Sequence, residues 1–177
     1  MVEKGMMRPM IKWVKENLKE EKLVGVEVGV WEGVNAKSIL ENLDMKLLFL
    51  VDPWKKHRIY NGRLFSQDKL DICLIKTISR LISFEEKWHI IKRTSNVGSK
   101  HVFDNLDFVY IDAQHIYKNC KEDIAVWYPK LVTGGIFGGH DYDVEHTPGI
   151  CKAVDEFVKE KGLELYQEDM DWWVVKE

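Results

Sequence analysis

Five short, largely apolar runs, at 23–28, 47–51, 88–91, 107–111 and 136–138, punctuate the chain, and amphipathic stretches separate most of them. Such a run, bounded by turn signals, reads as a strand buried on both faces. Parallel strands of this kind need helical crossovers, and those crossovers are right-handed. The order of elements therefore predicts an α/β fold: a Rossmann-like three-layer sandwich in which helices cover both faces of a mostly parallel sheet. The tail adds two more runs, 163–167 and 171–175, close enough to form an antiparallel hairpin.

The helices carry their own signals. Pro9 opens the first, whose stripe is Met10, Val14 and Leu18 with Trp13 beside it. Asn35 is a candidate cap for a second helix carrying Ile39, Leu40 and Leu43. Ser66 caps a third with the stripe Leu70, Cys73, Leu74, Ile78 and Leu81. A fourth, at 116–131, turns Cys120, Ile124, Trp127 and Leu131 inward and stops at Gly134-Gly135. Thr147-Pro148 caps and opens the last, with Ile150, Val154 and Phe157 inward and Gly162 at its end. Residues 54–64 read as a polar, aromatic loop holding the turn pair Asn61-Gly62. Of the adjacent Trp172 and Trp173, alternation sends one to each face, and one is read as core.

A length of 177 residues suits one domain, taken as 1–177. The net charge of −3 leaves no massed basic face of the kind that phosphate contacts with nucleic acid require. The densest local patch, Lys55, Lys56, His57 and Arg58, reads first as a solvated loop and second as a grip on an anionic substrate. The three cysteines, Cys73, Cys120 and Cys151, lack CxxC spacing and read as reduced, buried thiols. The first twenty residues mix Lys and Glu with no continuous apolar segment, and the apolar runs are far too short to span a bilayer. A soluble, cytoplasmic protein with no membrane partner is expected.

In open α/β sheets, ligands bind beyond the carboxyl ends of the strands. The residues there are Glu27 and Gly29, Asp52, the 93–96 segment, the 112–115 segment and His140-Asp141. Nearly all are polar, while the strands behind them are not. The first turn has Gly29-xxx-Gly33 spacing, not the GxGxxG that cradles a dinucleotide pyrophosphate. Glu27 and Glu32 would repel such a phosphate, whereas Glu27 suits an ammonium group. Asp52 follows the turn by about 20 residues, as an acid that accepts ribose hydroxyls would; its plainer reading is an aspartate that breaks a strand before Pro53. Together these features specify an adenosine-like ligand with a cationic tail.

Four stretches, VEVGVWEG at 26–33, LVDPW at 50–54, FVYIDAQH at 108–115 and GGIFGGHDY at 134–142, now stand out, with Asp123 and Trp127 on the intervening helix. On these residues the chain resembles the class I S-adenosylmethionine-dependent methyltransferases, in the compact subgroup whose fourth and fifth strands end in IDxxH and GGxxxxHDY. The resemblance runs in order from residue 23 to residue 175. It implies a seven-stranded sheet of order 3-2-1-4-5-7-6 with strand 7 antiparallel, S-adenosyl-L-methionine as cofactor, and methyl transfer as the activity. It further implies that Glu27 and Gly29 line the methionine end of the cofactor, with Gly33 as the turn's second glycine. Asp52 takes the ribose hydroxyls, Thr94, Ser95 and Asn96 lie near the adenine, and Asp112 stands near the transferred methyl. The chain departs from the pattern in keeping only Gly29 and Gly33 of a fuller GxGxG motif.

Methylating an oxygen requires an aligned nucleophile and removal of a proton. His115, His140, Asp112 and Asp141 stand at the tips of neighbouring strands and leave three readings open. The histidines brace loops; or His140 or His115, with Asp141, acts as general base; or Asp112, His140 and Asp141 hold Mg2+ that orients a substrate diol, with histidine replacing one hard oxygen ligand. Selectivity must come from 53–64, 114–118 and 141–147. Trp54, Tyr60 and Tyr142 shape a mouth or form a dimer contact, which keeps a homo-oligomer open, and Arg58 and Arg63 are placed to hold a carboxylate.

The expected function is methyl transfer to a small-molecule acceptor, at oxygen first. The competitors are a catalytically silent cofactor-binding module and a nicotinamide-dependent oxidoreductase, against which the missing GxGxxG counts. Nucleic-acid methylation is disfavoured, since the chain has no recognition insert, no basic stripe and no NPPY-type motif after strand 4.

Overall fold

The computed structural model describes residues 7–18, 22–58 and 64–177. Tyr60, Asn61-Gly62 and Arg63 lie outside the described residues, as do the side chains of His57 and Arg58. Seven strands form one sheet: β1 Leu23–Val28, β2 Met45–Val51, β3 Trp88–Ile91, β4 Leu106–Ile111, β5 Leu131–Gly139, β6 Tyr166–Glu168 and β7 Asp171–Val175. Their order is 3-2-1-4-5-7-6. The first five run parallel, and β7 is antiparallel to both β5 and β6. Fold class and strand order are those expected. The register explains why a site forms: Val28 pairs with Val51 and Ile111, and Ile111 with Gly139. Four strands thus end level, and Gly29, Asp52, Asp112 and His140 emerge side by side along one edge.

The helices are α1 Pro9–Asn17, α2 Val34–Asn42, α3 Gln67–Leu81, α4 Ser95–Gly98, α5 Tyr117–Trp127 and α6 Pro148–Lys161. Strand alternation divides the apolar residues into two cores. Phe108 and Tyr110 join Met10, Ile39, Leu70 and Trp173 in one. Val109 and Ile111 join Cys120, Trp127, Val154 and Trp172 in the other. Trp172 and Trp173 do point to opposite faces, yet both are buried. Both faces of this sheet are covered, so alternation selects between cores and not between core and water. All three cysteines are buried and free, as expected.

Several local expectations are corrected. Gly33, left-handed at φ +73°, precedes α2, and Asn35 lies within the helix. Ser66 does cap α3, accepting from the Lys69 amide. The helical period from Leu70 and Cys73 then turns Thr77 and Leu81 inward and leaves Ile78, with Ile72, Ile75 and Ile82, exposed. Helix α5 ends at Trp127 because Pro129 follows in a tight turn at Tyr128–Lys130. Gly134-Gly135 therefore sits inside β5, with Gly134 at φ +83° beside a register shift, and does not stop the helix. Pro148 does open α6, but the Thr147 hydroxyl donates to the carbonyls of Asp141 and Asp143 and makes no cap bond. The 54–64 stretch includes a short antiparallel pair, His57–Arg58 with Leu64–Phe65. Trp54 is fully buried, its Nε1–H donating to the Trp31 carbonyl at 2.8 Å, so it belongs to the core and not to a mouth.

Candidate active site

The turn after β1 is held from two sides. Gly29 has φ +89°, and a Cβ there would stand 2.0 Å from the carbonyl oxygen of Asp112, so only glycine lets β1 and β4 close up at this edge. From the other side Asp52 accepts from the amides of Val30 (3.1 Å) and Trp31 (3.0 Å) through Oδ2, and from Trp54 (2.7 Å) through Oδ1. This carboxylate is therefore the clasp of the turn as well as part of the wall it encloses.

A cleft of about 1340 Å³ opens along the strand tips, lined among others by Glu27, Gly29, Asp52, Thr94, Ser95, Asp112 and His115. These are the residues expected from the sequence, and the fold brings them together. Gly33 is not among the lining residues; it packs under Thr77 of α3. His140 and Asp141 line a separate small cavity of about 10 Å³, which Asp112 and His115 share. Tyr142 lines neither cavity, and its hydroxyl donates to Asp155.

Glu27 is buried in the cleft floor. Asn35 donates to Oε1 at 3.0 Å, while the buried Oε2 has no hydrogen-bond partner among the described residues. Burial pushes this carboxyl up to about 8, against the smaller effect of Asn35. Asp112, whose side chain keeps 26% of its surface, is also pushed up by burial, with His140 and Arg8 opposing. Asp123 is raised to about 6 by burial, and beside it Trp127 Nε1–H donates to Ser95 Oγ at 2.8 Å.

The two histidines meet on one carboxylate. His115 Nε2 lies 2.8 Å from Asp141 Oδ2, and His140 Nδ1 lies 3.1 Å from Oδ1. Burial disfavours the Asp141 anion, but the hydrogen bonds from His115 and His140 outweigh it and hold the group below the usual carboxylate range. The same hydrogen bond raises His115. Asp141 is left-handed at φ +64°, uncommon for a residue with a side chain, and its carbonyl takes the Thr147 hydroxyl. Among the described residues Asp112, His115 and Asp141 offer donor atoms within 4.8 Å of one another, so His115 rather than His140 completes that group.

Three further residues went unread in the sequence. Arg8 lines the cleft, its guanidinium 3.6 Å from Asp112 and 3.7 Å from Asp171. Asp171, buried at the start of β7, accepts from the Tyr110 hydroxyl (2.9 Å) and the Met10 amide (3.1 Å). Positions 8, 110 and 171 share no motif; an acid opening an otherwise apolar strand was the one available signal.

Residues 26–142 match the family model described as a methyltransferase domain, which is more than half of the chain. The chain belongs to that family. This methyltransferase has the class I, S-adenosylmethionine-dependent architecture, and solved structures share it. The O-methyltransferase NovP superposes with a TM-score of 0.65 at 19% identity, covering 94% of this chain and 76% of that one. SMU.1697c from Streptococcus mutans, solved in complex with SAH, gives 0.68 at 17% identity over 97% of this chain and 100% of its own. An rRNA methylase from Streptococcus thermophilus gives 0.66 at 16% identity over 97% and 99%. No curated protein sequence matches the chain significantly. Among the described residues of the methyltransferase, no helix is long and apolar enough to cross a membrane.

Proposed function

We propose that this methyltransferase, as one domain, methylates an oxygen of a small-molecule acceptor, with His115 as general base and Asp141 as the group that fixes its tautomer. The observation that carries this reading is the 2.8 Å contact between a cleft-lining imidazole and a carboxylate held ionised behind it.

The residues present fit S-adenosyl-L-methionine. Glu27, whose buried Oε2 has no hydrogen-bond partner among the described residues, lines the same cleft as Asp52, Thr94 and Ser95. Glu27 would hold the ammonium, Asp52 the ribose, and Asp112 the region beside the sulfonium. When bound, that cofactor supplies a methyl group on a positively charged sulfur. An ionised Asp141 accepts only, so His115 donates its Nε2–H to it and carries the ring's basic lone pair on Nδ1. From there His115 removes the hydroxyl proton of the acceptor, and Asp141 stabilises the imidazolium that forms. His140 holds the second oxygen of Asp141 in place.

Mg2+ fits these residues poorly. It prefers an octahedral set of oxygens, whereas this group contains an imidazole, both Asp141 oxygens face histidine rings, and Arg8 stands beside Asp112. A net charge of −3 favours a small acceptor over nucleic acid, and the likeness to the O-methyltransferase NovP supports oxygen as the atom methylated; the rRNA methylase neighbour makes RNA the comparison to run.

The test supplies S-adenosyl-L-methionine with a panel of phenols and sugar diols, and in parallel with RNA, while following release of S-adenosylhomocysteine. Turnover with a small hydroxyl compound is expected. It should fall about 10²–10⁴-fold in His115→Gln with little change in cofactor affinity, and a chelator should leave it intact. Transfer to RNA alone, Mg2+-dependent turnover, or full activity in His115→Gln would each overturn the assignment. Tight cofactor binding without any turnover would favour a silent binding module.

A further inference from the structure

We propose that the outer face of α3 is where two copies of this chain pair, stripe against stripe, about a twofold axis. The inner face of the helix is already committed. Leu70, Cys73 and Leu81 are buried in the core shared with Phe108 and Tyr110, and the Thr77 hydroxyl donates to the Trp31 carbonyl at 3.1 Å. The opposite side carries Ile72, Ile75 and Ile78, with Ile82 in the turn that follows, and these keep 52, 62, 41 and 60% of their surface exposed. Ile75, Ile78 and Ile82 recur at i, i+3 and i+7, and Ile72 lies just N-terminal, so the four make one stripe along the helix.

Single exposed apolar residues are ordinary, but a contiguous patch is not. With those exposures the stripe leaves on the order of 400 Å² of apolar surface in water, the size that marks a contact on a soluble protein. Isoleucine is also a poorer helix former than leucine, so local helix stability does not call for four of them on a solvated face.

The charges around the stripe favour a neutral, self-complementary partner. On one flank Lys76 donates to Glu32 at 2.7 Å, and Arg80 donates to the Glu32 carbonyl. On the other, Asp71 accepts from Gln67 at 2.8 Å and lies 3.9 Å from Lys92. Asp68 stands in the first turn of α3, where the helix dipole favours it. These charges are spent inside the chain, so the face gives a nucleic acid, an anionic membrane or a charged peptide little to grip. An isologous contact asks instead that one patch suit itself. A row of identical uncharged side chains does so under a twofold rotation without bringing like charges together.

The area fits as well. Two stripes bury roughly 800 Å² of apolar surface, and their polar rims carry the total toward the ~1,200 Å² at which specific interfaces begin. The neighbouring sheet edge is the other route to a dimer, and it is guarded. Lys87 and Lys92 flank the edge strand β3 and oppose the addition of a further strand.

Sedimentation velocity from about 1 to 200 µM tests the pairing. The wild type should pass from one-chain to two-chain mass with a dissociation constant on the order of 1–100 µM, the weak end that suits so small an interface. The contact is apolar, so that constant should change less than about threefold between roughly 50 and 500 mM salt. Ile75→Glu with Ile78→Glu should abolish pairing, and so should Ile75→Lys with Ile78→Lys, while both unfold near the wild-type temperature because exposed side chains are replaced. An equimolar mixture of these two variants should pair again, since stripe meets stripe and the new charges attract. Phe103→Glu, at an equally exposed residue off α3, should leave the dimer intact. A wild type that stays a single chain at the highest concentration would overturn the proposal without any variant having to fold, and is the result expected if the stripe serves a different protein. So would a dimer indifferent to the charged pairs, or a mixture of them that stays monomeric. Pairing depends on neither cofactor nor acceptor, so its failure would leave the reading of the cleft untouched.

Discussion

His115 Nε2 lies 2.8 Å from Oδ2 of Asp141, and the contact joins the loop after β4 to the tip of β5. Asp141 is left-handed, and His140 binds its other oxygen at 3.1 Å. The strained backbone and the doubly occupied carboxylate thus serve one purpose, to hold a single imidazole at the cleft wall.

That pair gives stability a pH signature. The folded state raises His115, so its contribution is complete below the ordinary imidazole value of about 6.5 and is lost as pH rises through the folded value. It lowers Asp141, so that contribution is complete above about 3.9 and is lost as pH falls through the folded value. Both are present between roughly pH 4 and 6.5. Thermal unfolding of Asp141→Asn across pH should show its largest deficit in that window, about 1–3 kcal/mol, and a smaller one at pH 9.

Glu27 works in the opposite sense. A buried carboxyl raised to about 8 binds a proton that the unfolded chain releases near pH 4, so ionisation destabilises the fold as pH climbs between those values. Glu27→Gln should therefore unfold at a higher temperature than the wild type at pH 8.5 while binding S-adenosylhomocysteine at least tenfold more weakly. In the wild type, an ammonium arriving at Glu27 should expel the proton. Binding enthalpies at pH 7 should then depend on the ionisation heat of the buffer, and should not in Glu27→Gln.

Gly29→Ala forces a Cβ onto the Asp112 carbonyl, at a backbone angle that disfavours any side chain. Strain and overpacking together should cost about 2–4 kcal/mol in urea unfolding, and cofactor affinity should fall with it because the turn and the β4 tip must separate.

Asp52 accepts three backbone amides at once. Asp52→Ala leaves them without that acceptor and should lose about 2–4 kcal/mol of stability. Asp52→Asn keeps the shape but halves the acceptor capacity, so it should retain more stability than Asp52→Ala while still weakening S-adenosylhomocysteine. Equal stability in the two variants would remove the clasp from the account of this turn.

What was legible along the chain followed a period or a strand end. The two-sided apolar runs announced the parallel sheet, and their polar termini announced the cleft, since a residue just past a buried strand is delivered to the same edge as its neighbours. Ile78 was misplaced and Thr77 overlooked because hydrophobicity outvoted the helical period. Gly134-Gly135 read as a stop because a glycine pair inside a strand looks like a turn until the neighbouring strand shows the register shift.

Local pattern alone determined the architecture, the glycine turn and the candidates Glu27, Asp52, Asp112 and His115, because each follows from a short-range periodicity. Only the tertiary structure decided that Asp141 stands behind His115, that Glu27 keeps an oxygen with no hydrogen-bond partner among the described residues, and that Arg8, Tyr110 and Asp171 meet beside Asp112. Those relations join residues as distant in the chain as Arg8 and Asp171, and long-range charge pairing leaves no periodic trace in a sequence.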